Sequence, residues 1–298
     1  MIKNLILSGC SSKLYIFIGS LQCLIINKKI QFKKLENILC TSGSSVIIFL
    51  LLLGYNIRDI TNICCGIDTD ILFYNNIYNQ NIINNIIEQK GILNTQQIKN
   101  TLEIIIYNKI KKKSLTFREL YHLSGTTFIL NAFCYDTNKI EYFSHKTHPN
   151  VNIINIILMA IAIPIIFPPI IYNNKTYCDA GIKKHIDFDY FFNNKTIYEI
   201  EILQNITLGL LITEKSKPYI TDINNNFEQL NKYIFQILKV ITHKDEYNEI
   251  VINNYNIINI KFDLHFSNLK IDNDIKYKLI IYGYKKTYDY IIKWQLRK

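Results

Sequence analysis

LENILCTSGSSVIIFLLLLGY, residues 35–55, passes from a short apolar run ending at Cys40, through Thr41-Ser42-Gly43, into a longer apolar run that stops at Gly54. Residues 35–40 have the length of a buried strand, and 44–53 that of a buried helix whose end Gly54 can cap in a left-handed conformation. The same order occurs earlier in NLILSGCSSKLYIFIGSLQCLII, residues 4–26. There a strand over 4–8, a tight loop and a helix over 13–26 follow one another. Two strand–turn–helix units within the first 55 residues predict a three-layer α/β/α domain with a mostly parallel central sheet.

Working outward, residues 56–64, 81–89 and 95–111 have helical patterning, and TFRE, 116–119, has the form of a capping box. Residues 126–134 and 139–144 are expected to alternate as two strands joined at YDTN, 135–138. A helix over 153–162, a proline-bounded loop and a hairpin around Asn173-Asn174 lead to YCDAG, 177–181. Beyond it the pattern predicts strands at 207–213 and 256–262, and helices near 225–242 and 274–295.

Bulk composition points the same way. The chain of 298 residues is 49% hydrophobic and 19% charged, with only 10 glycines and 5 prolines. It is too apolar for a disordered chain and poor in linker material, so residues 1–298 are expected to form one domain. Seven cysteines, an odd number without zinc-type spacing, fall partly inside apolar runs. That is the usage of reduced, buried thiols in an intracellular, cytoplasmic setting. The formal charge of +10 favours anionic partners, either a membrane surface contacted peripherally or nucleic acid. Nucleic acid ranks lower, because the basic residues are scattered and have no aromatic stacking platform among them.

Leu7-Ser8-Gly9-Cys10 has the pattern of a lipoprotein cleavage box. A signal peptide needs an apolar region of about 7 to 15 residues, and only Leu5-Ile6-Leu7 precede Ser8. The run 153–172 is broken by Pro164, Pro168 and Pro169, and 46–53 is far short of the roughly 18 residues a span requires. Neither a signal peptide nor a transmembrane helix is expected.

The chemistry, if there is any, centres on the turn at 41–45. A hydroxyl on a sharp strand-to-helix turn projects from the sheet beside the positive end of the next helix. The turn needs small residues two before and two after the nucleophile, and around Ser42 these are Cys40 and Ser44. Ser45 is a competing register that would put Ile47 where a small residue is required. Taken alone, the segment also reads as the turn of an ordinary α/β unit, and Asp179 as a turn aspartate before Ala180-Gly181. His145, His148 and His185 have no partner pattern and are expected to be surface or structural residues.

Together with AIAIPIIFPPIIYNNKTYCDAG, 160–181, LTFRELYHLSGTTFILNAFCYDTNKIEYFSHKTHPN, 115–150, and GYKKTYDYI, 283–291, these segments resemble the patatin-like phospholipase family in order and spacing. The resemblance implies that Ser42 is a nucleophile and Asp179 its partner in a two-residue dyad, with no histidine, metal or cofactor. It makes Cys40, Thr41, Gly43 and Ser44 the nucleophile elbow, and Ala180 and Gly181 the remainder of the aspartate motif. Gly9, Cys10, Ser11, Ser12 and Lys13 become an oxyanion loop in which Lys13 keeps the basic position, while Cys10, Ser11 and Leu14 stand where the family has glycine. The implied activity is phospholipase A-type cleavage of a phospholipid or other lipid ester. A catalytically impaired lipid- or membrane-binding protein of the same fold is the alternative.

Overall fold

The computed structural model describes residues 1–73, 82–214, 255–262 and 271–295. The helix expected near 225–242 lies outside the described residues. The first half comprises β1 (Asn4–Leu7), α1 (Leu14–Ile26), β2 (Asn37–Cys40), α2 (Ser44–Leu52), α3 (Ile57–Gly66), α4 (Thr69–Phe73), α5 (Ile82–Gln89), α6 (Gln96–Ile110) and α7 (Phe117–Ser124). Then follow β3 (Thr127–Cys134), β4 (Lys139–Phe143), α8 (Ile153–Ala160), β5 (Ile170–Tyr172), β6 (Lys175–Asp179), α9 (Asp189–Phe192), α10 (Ile197–Ile206), β7 (Thr207–Glu214), β8 (Ile257–Phe262) and α11 (Asn273–Gln295).

Strands β8, β7, β1, β2 and β3 pair in that order, all parallel, while β4, β5 and β6 join by antiparallel pairing. The sheet separates two cores, and the period-2 pleat explains how. Leu5, Leu7, Ile38, Cys40, Leu130 and Leu210 face a large core with helices α1, α2, α3, α6 and α8. Ile6, Leu39, Ile129 and Leu211 face a smaller one with Phe188 and Phe192. Burial on both faces is what makes these strands continuous apolar runs. Hence β3, expected to alternate, is buried at all eight positions.

Local signals place most boundaries. Thr116 and Glu119 close the capping box of α7 in both directions. Asn173 and Asn174 take φ of 48° and 59° between β5 and β6, the left-handed pair a two-residue hairpin turn needs. Helix α10 was not foreseen, although its Thr196–Glu199 capping box has the same signature. No described helix is long and apolar enough to cross a membrane.

Helix α11 closes the fold by packing on α1 at backbone distance. A Cβ added to Gly19 would lie 1.9 Å from the Ile280 carbonyl oxygen, and one on Gly283 would lie 2.0 Å from that of Ile16. Ser20 Oγ sits between the helices, donating to Ile16 O at 2.9 Å and reaching Gly283 O at 3.4 Å. In an open helix, Gly→Ala stabilises by about 1 kcal/mol. Here the sign should reverse, because the new methyl has no space. Gly283→Ala is expected to lower the thermal unfolding midpoint, as followed by circular dichroism, and a raised midpoint would contradict this packing.

Candidate active site

The site is produced by strand register. Leu130 of β3 pairs with Cys40 on β2 and with Phe143 on β4, and Ala132 pairs with Asp179 on β6 and with Glu141 on β4. A strand has two edges, and β4 occupies one of them continuously. Therefore β2 and β6 share the other, and their C-terminal ends meet head to head with only Asn131 between the paired positions. The first side chain that can leave the end of β2 is thereby aimed at the last side chain of β6.

Ser42 makes that exit. Its φ of 57° puts it in the left-handed region, which turns the chain sharply from β2 into α2. Cys40 and Ser44, the small residues of the elbow, are fully buried. Ser44 Oγ donates to Thr41 O at 2.8 Å, and Asn131 Nδ2 donates to Thr41 Oγ1 at 3.1 Å, so the turn is held from both sides. Ser42 Oγ donates to Asp179 Oδ2 at 2.5 Å. The other carboxylate oxygen, Oδ1, accepts the Gly181 N–H at 2.7 Å, and the Asp179 N–H donates to Ala162 O at 2.9 Å.

Both side chains are nearly sealed from solvent, with Ser42 5% and Asp179 3% exposed. Burial pushes the Asp179 carboxyl up to about 6, against the smaller lowering effects of its hydrogen bonds from Ser42 and Gly181. A carboxylate there is ionised at neutral pH yet basic enough to take a proton.

Residues 9–13 lie against this pair. A Cβ on Gly43 would be 3.1 Å from Ser11 O and 3.3 Å from Cys10 Sγ, and one on Gly9 would be 3.5 Å from Ser42 Cβ. Ser11–Lys13 form a 3-10 turn in which the Lys13 N–H donates to Cys10 O at 2.8 Å. Lys13 is fully buried. Ser11 has φ 47°, whereas Cys10 has φ −142° and Leu14 φ −50°. Of the three replaced glycines, only the one at Ser11 thus falls where glycine is conformationally favoured. The Gly9 N–H is engaged by His185 O at 2.8 Å, so Gly9 serves the loop by its bareness and not by its donor. Burial, and secondarily the Asp179 charge, push the Cys10 thiol far up, leaving it a neutral filler.

Ser11, Ser12, Ser42 and Gly43 line a largely apolar cavity of about 130 Å³ whose walls include Leu50, Leu102 and Phe167. No group of three or more histidine, cysteine or acidic residues fit to hold a metal occurs among the described residues.

One residue next to Ser42 and Asp179 went unrecognised in the sequence. Asn131 could have been flagged as the polar break in the apolar strand TFILNAFC, fully buried in the fold. His185 carries no local signal, and the structure places its ring against Gly9. His145, stacked on Tyr121 at 3.8 Å, and His148, packed on Phe143 at 4.6 Å, are structural as expected.

Comparison with known proteins bears on the family and the fold. The chain is 30% identical over 191 residues to the probable lipid hydrolase 463L of Invertebrate iridescent virus 6, and 30% over 181 residues to the uncharacterized protein R571 of Acanthamoeba polyphaga mimivirus. These alignments cover 63% and 60% of this chain but only 62% and 58% of the relatives' own lengths. Among solved structures, VipD from Legionella pneumophila superposes with a TM-score of 0.61 at 16% identity, covering 97% of this chain and 66% of VipD. ExoU in its heterodimeric complex with SpcU, from the type III secretion system of Pseudomonas aeruginosa, gives 0.50 at 13% identity, covering 98% of this chain and 51% of that one. At such identities the two structures speak for the fold alone. The model of the patatin-like phospholipase family matches residues 5–192, and the chain belongs to that family.

Proposed function

We propose that the protein is a lipid acyl hydrolase of phospholipase A type that works through Ser42 and Asp179. The observation that carries this reading is the 2.5 Å hydrogen bond from Ser42 Oγ to a buried carboxylate, in a cavity with apolar walls. Asp179 accepts the Ser42 proton as Oγ attacks the ester carbonyl. The tetrahedral oxyanion is met by N–H groups of residues 10–12 and by the N-terminal end of α2. Its collapse expels the alcohol, which leaves with the proton from Asp179, and the acyl group stays on Ser42. Water, deprotonated by Asp179, then releases the fatty acid. The apolar walls suit the acyl chain, and the net charge of +10 suits docking on an anionic lipid surface. The family membership and the name of the iridescent-virus relative support the substrate class.

The impaired-binder alternative has one observation in its favour, the left-handed φ of Ser11 in the loop that must hold the oxyanion. Labelling by a fluorophosphonate probe separates the two, since only a competent nucleophile reacts.

Ser42→Ala and Asp179→Asn should each reduce cleavage of a lipid ester by roughly 10⁴-fold or more without unfolding the protein, and undiminished cleavage by Ser42→Ala would sink the assignment. Because the deprotonated carboxylate is the active form, kcat/KM should fall as pH drops through about 6, the value of Asp179. Ser42 also stores strain. Ser42→Gly should remove activity yet raise the unfolding midpoint, by a relief of about 1 kcal/mol. At Ser11, glycine should raise the rate of probe labelling, whereas Cys10→Gly, at φ −142°, should not.

A further inference from the structure

Gly9 is not required by its backbone conformation, since the positive-φ glycines among the described residues are Gly54 and Gly125. Space around it is tight. A Cβ there would lie 3.1 Å from His185 Nδ1, 3.3 Å from His185 Cε1 and 3.5 Å from Ser42 Cβ. The space beside the bare Cα is therefore bordered by both an imidazole ring and the proposed nucleophile.

The ring is itself held in place. His185 Nε2 lies 3.0 Å from Ile212 O, and since a carbonyl only accepts, Nε2 carries a proton. The His185 carbonyl in turn accepts the Gly9 N–H at 2.8 Å. His185 reaches this point because the chain leaves Asp179 through the 3-10 turn Ala180–Ile182 and doubles back over the end of β1. One short segment thus carries both the proposed base and the restraint on the facing loop.

The loop needs such a restraint. Ser11 occupies a left-handed conformation that a non-glycine residue adopts only when its surroundings over-determine it. A loop built largely of glycine could settle into that shape unaided, whereas this one must be kept there.

We propose that His185 is a positioning residue, whose carbonyl and imidazole clamp Gly9 and, through it, hold the 10–13 loop at its working distance from Ser42. The role rests on the hydrolase reading for its consequence in catalysis, but not for the contact itself. His185 is not a general base in this scheme. The Ser42 hydroxyl donates to Asp179, and the protonated Nε2 of His185 is engaged with Ile212 O.

Two measurements on the full chain test this. The first is the rate of Ser42 labelling by a fluorophosphonate, with steady-state kinetics on a lipid ester. His185→Ala should lower the labelling rate and kcat about tenfold or more while leaving KM within about twofold, as expected when a donor loop drifts by a fraction of an ångström. His185→Gln, which keeps a donor for Ile212 O and bulk above Gly9, should recover most of the rate and keep the acid limb of the pH profile near 6. Wild-type rates in His185→Ala, or an acid limb displaced in His185→Gln, would overturn the proposal.

The second measurement is a thermal-unfolding cycle that needs no activity. Gly9→Ala should lower the midpoint by several degrees in the wild-type background and by clearly less in His185→Ala, where the clashing ring is gone. An equal loss in both backgrounds would overturn the contact. A wild type that is not labelled at all would overturn the hydrolase reading, and the unfolding cycle would still decide whether His185 clamps Gly9.

Discussion

One edge of β3 is shared by two strands that arrive from opposite directions, and the site depends on that sharing. Cys40 pairs with Leu130 and Asp179 with Ala132, two residues further along the same strand. Neither β2 nor β6 can slide without flipping every side chain to the other face, which would turn core residues such as Leu39 and Cys178 into the wrong layer. The separation of serine and carboxylate is therefore set by hydrogen-bonded register and not by a flexible loop. That is how a 2.5 Å contact between residues 137 positions apart can be maintained.

Precision at this point is bought with local destabilisation. Ser42 and Ser11 occupy left-handed conformations, and Asp179 is buried where its charged form is disfavoured. Each cost is of order 1 kcal/mol or more. The surrounding structure offsets them: a sheet buried on both faces, the full burial of Cys40, Thr41 and Ser44, and Ser44 and Asn131 holding the Thr41 backbone and side chain. The cavity wall is supported from further away by the close α1–α11 crossing at Gly19 and Gly283.

What could be read in the sequence was local. Strand–turn–helix units, the capping box at Thr116 and the Asn173-Asn174 hairpin follow from short-range rules, and they locate Ser42 and Asp179 at the ends of strands. The resemblance to a family linked those two residues. Composition and periodicity had no means of doing so, because the link is a register between β2, β3 and β6 across some 140 residues. Asn131 left a trace as a polar residue in an apolar strand. His185 left none, because its role arises from a return of the chain over Gly9. The full burial of β3 was misread as alternation for a related reason, since one strand cannot reveal how many layers cover it.

Glycines in such a site meet two separate demands, and the structure separates them. Gly43 and Gly181 sit at close approaches, where a Cβ would lie 3.1 Å from Ser11 O in the first case and 3.0 Å from Asp179 Oδ1 in the second. Gly9 belongs with them. Cys10 and Leu14 stand at φ −142° and −50°, where a side chain meets no backbone objection, and Cys10 fills space beside Gly43 as a neutral thiol. Ala180 lies in a 3-10 turn, outside the left-handed region. Counting lost glycines therefore overstates the damage to the loop. The glycines at the tight approaches have been kept, and of the replacements only Ser11 bears a conformational cost.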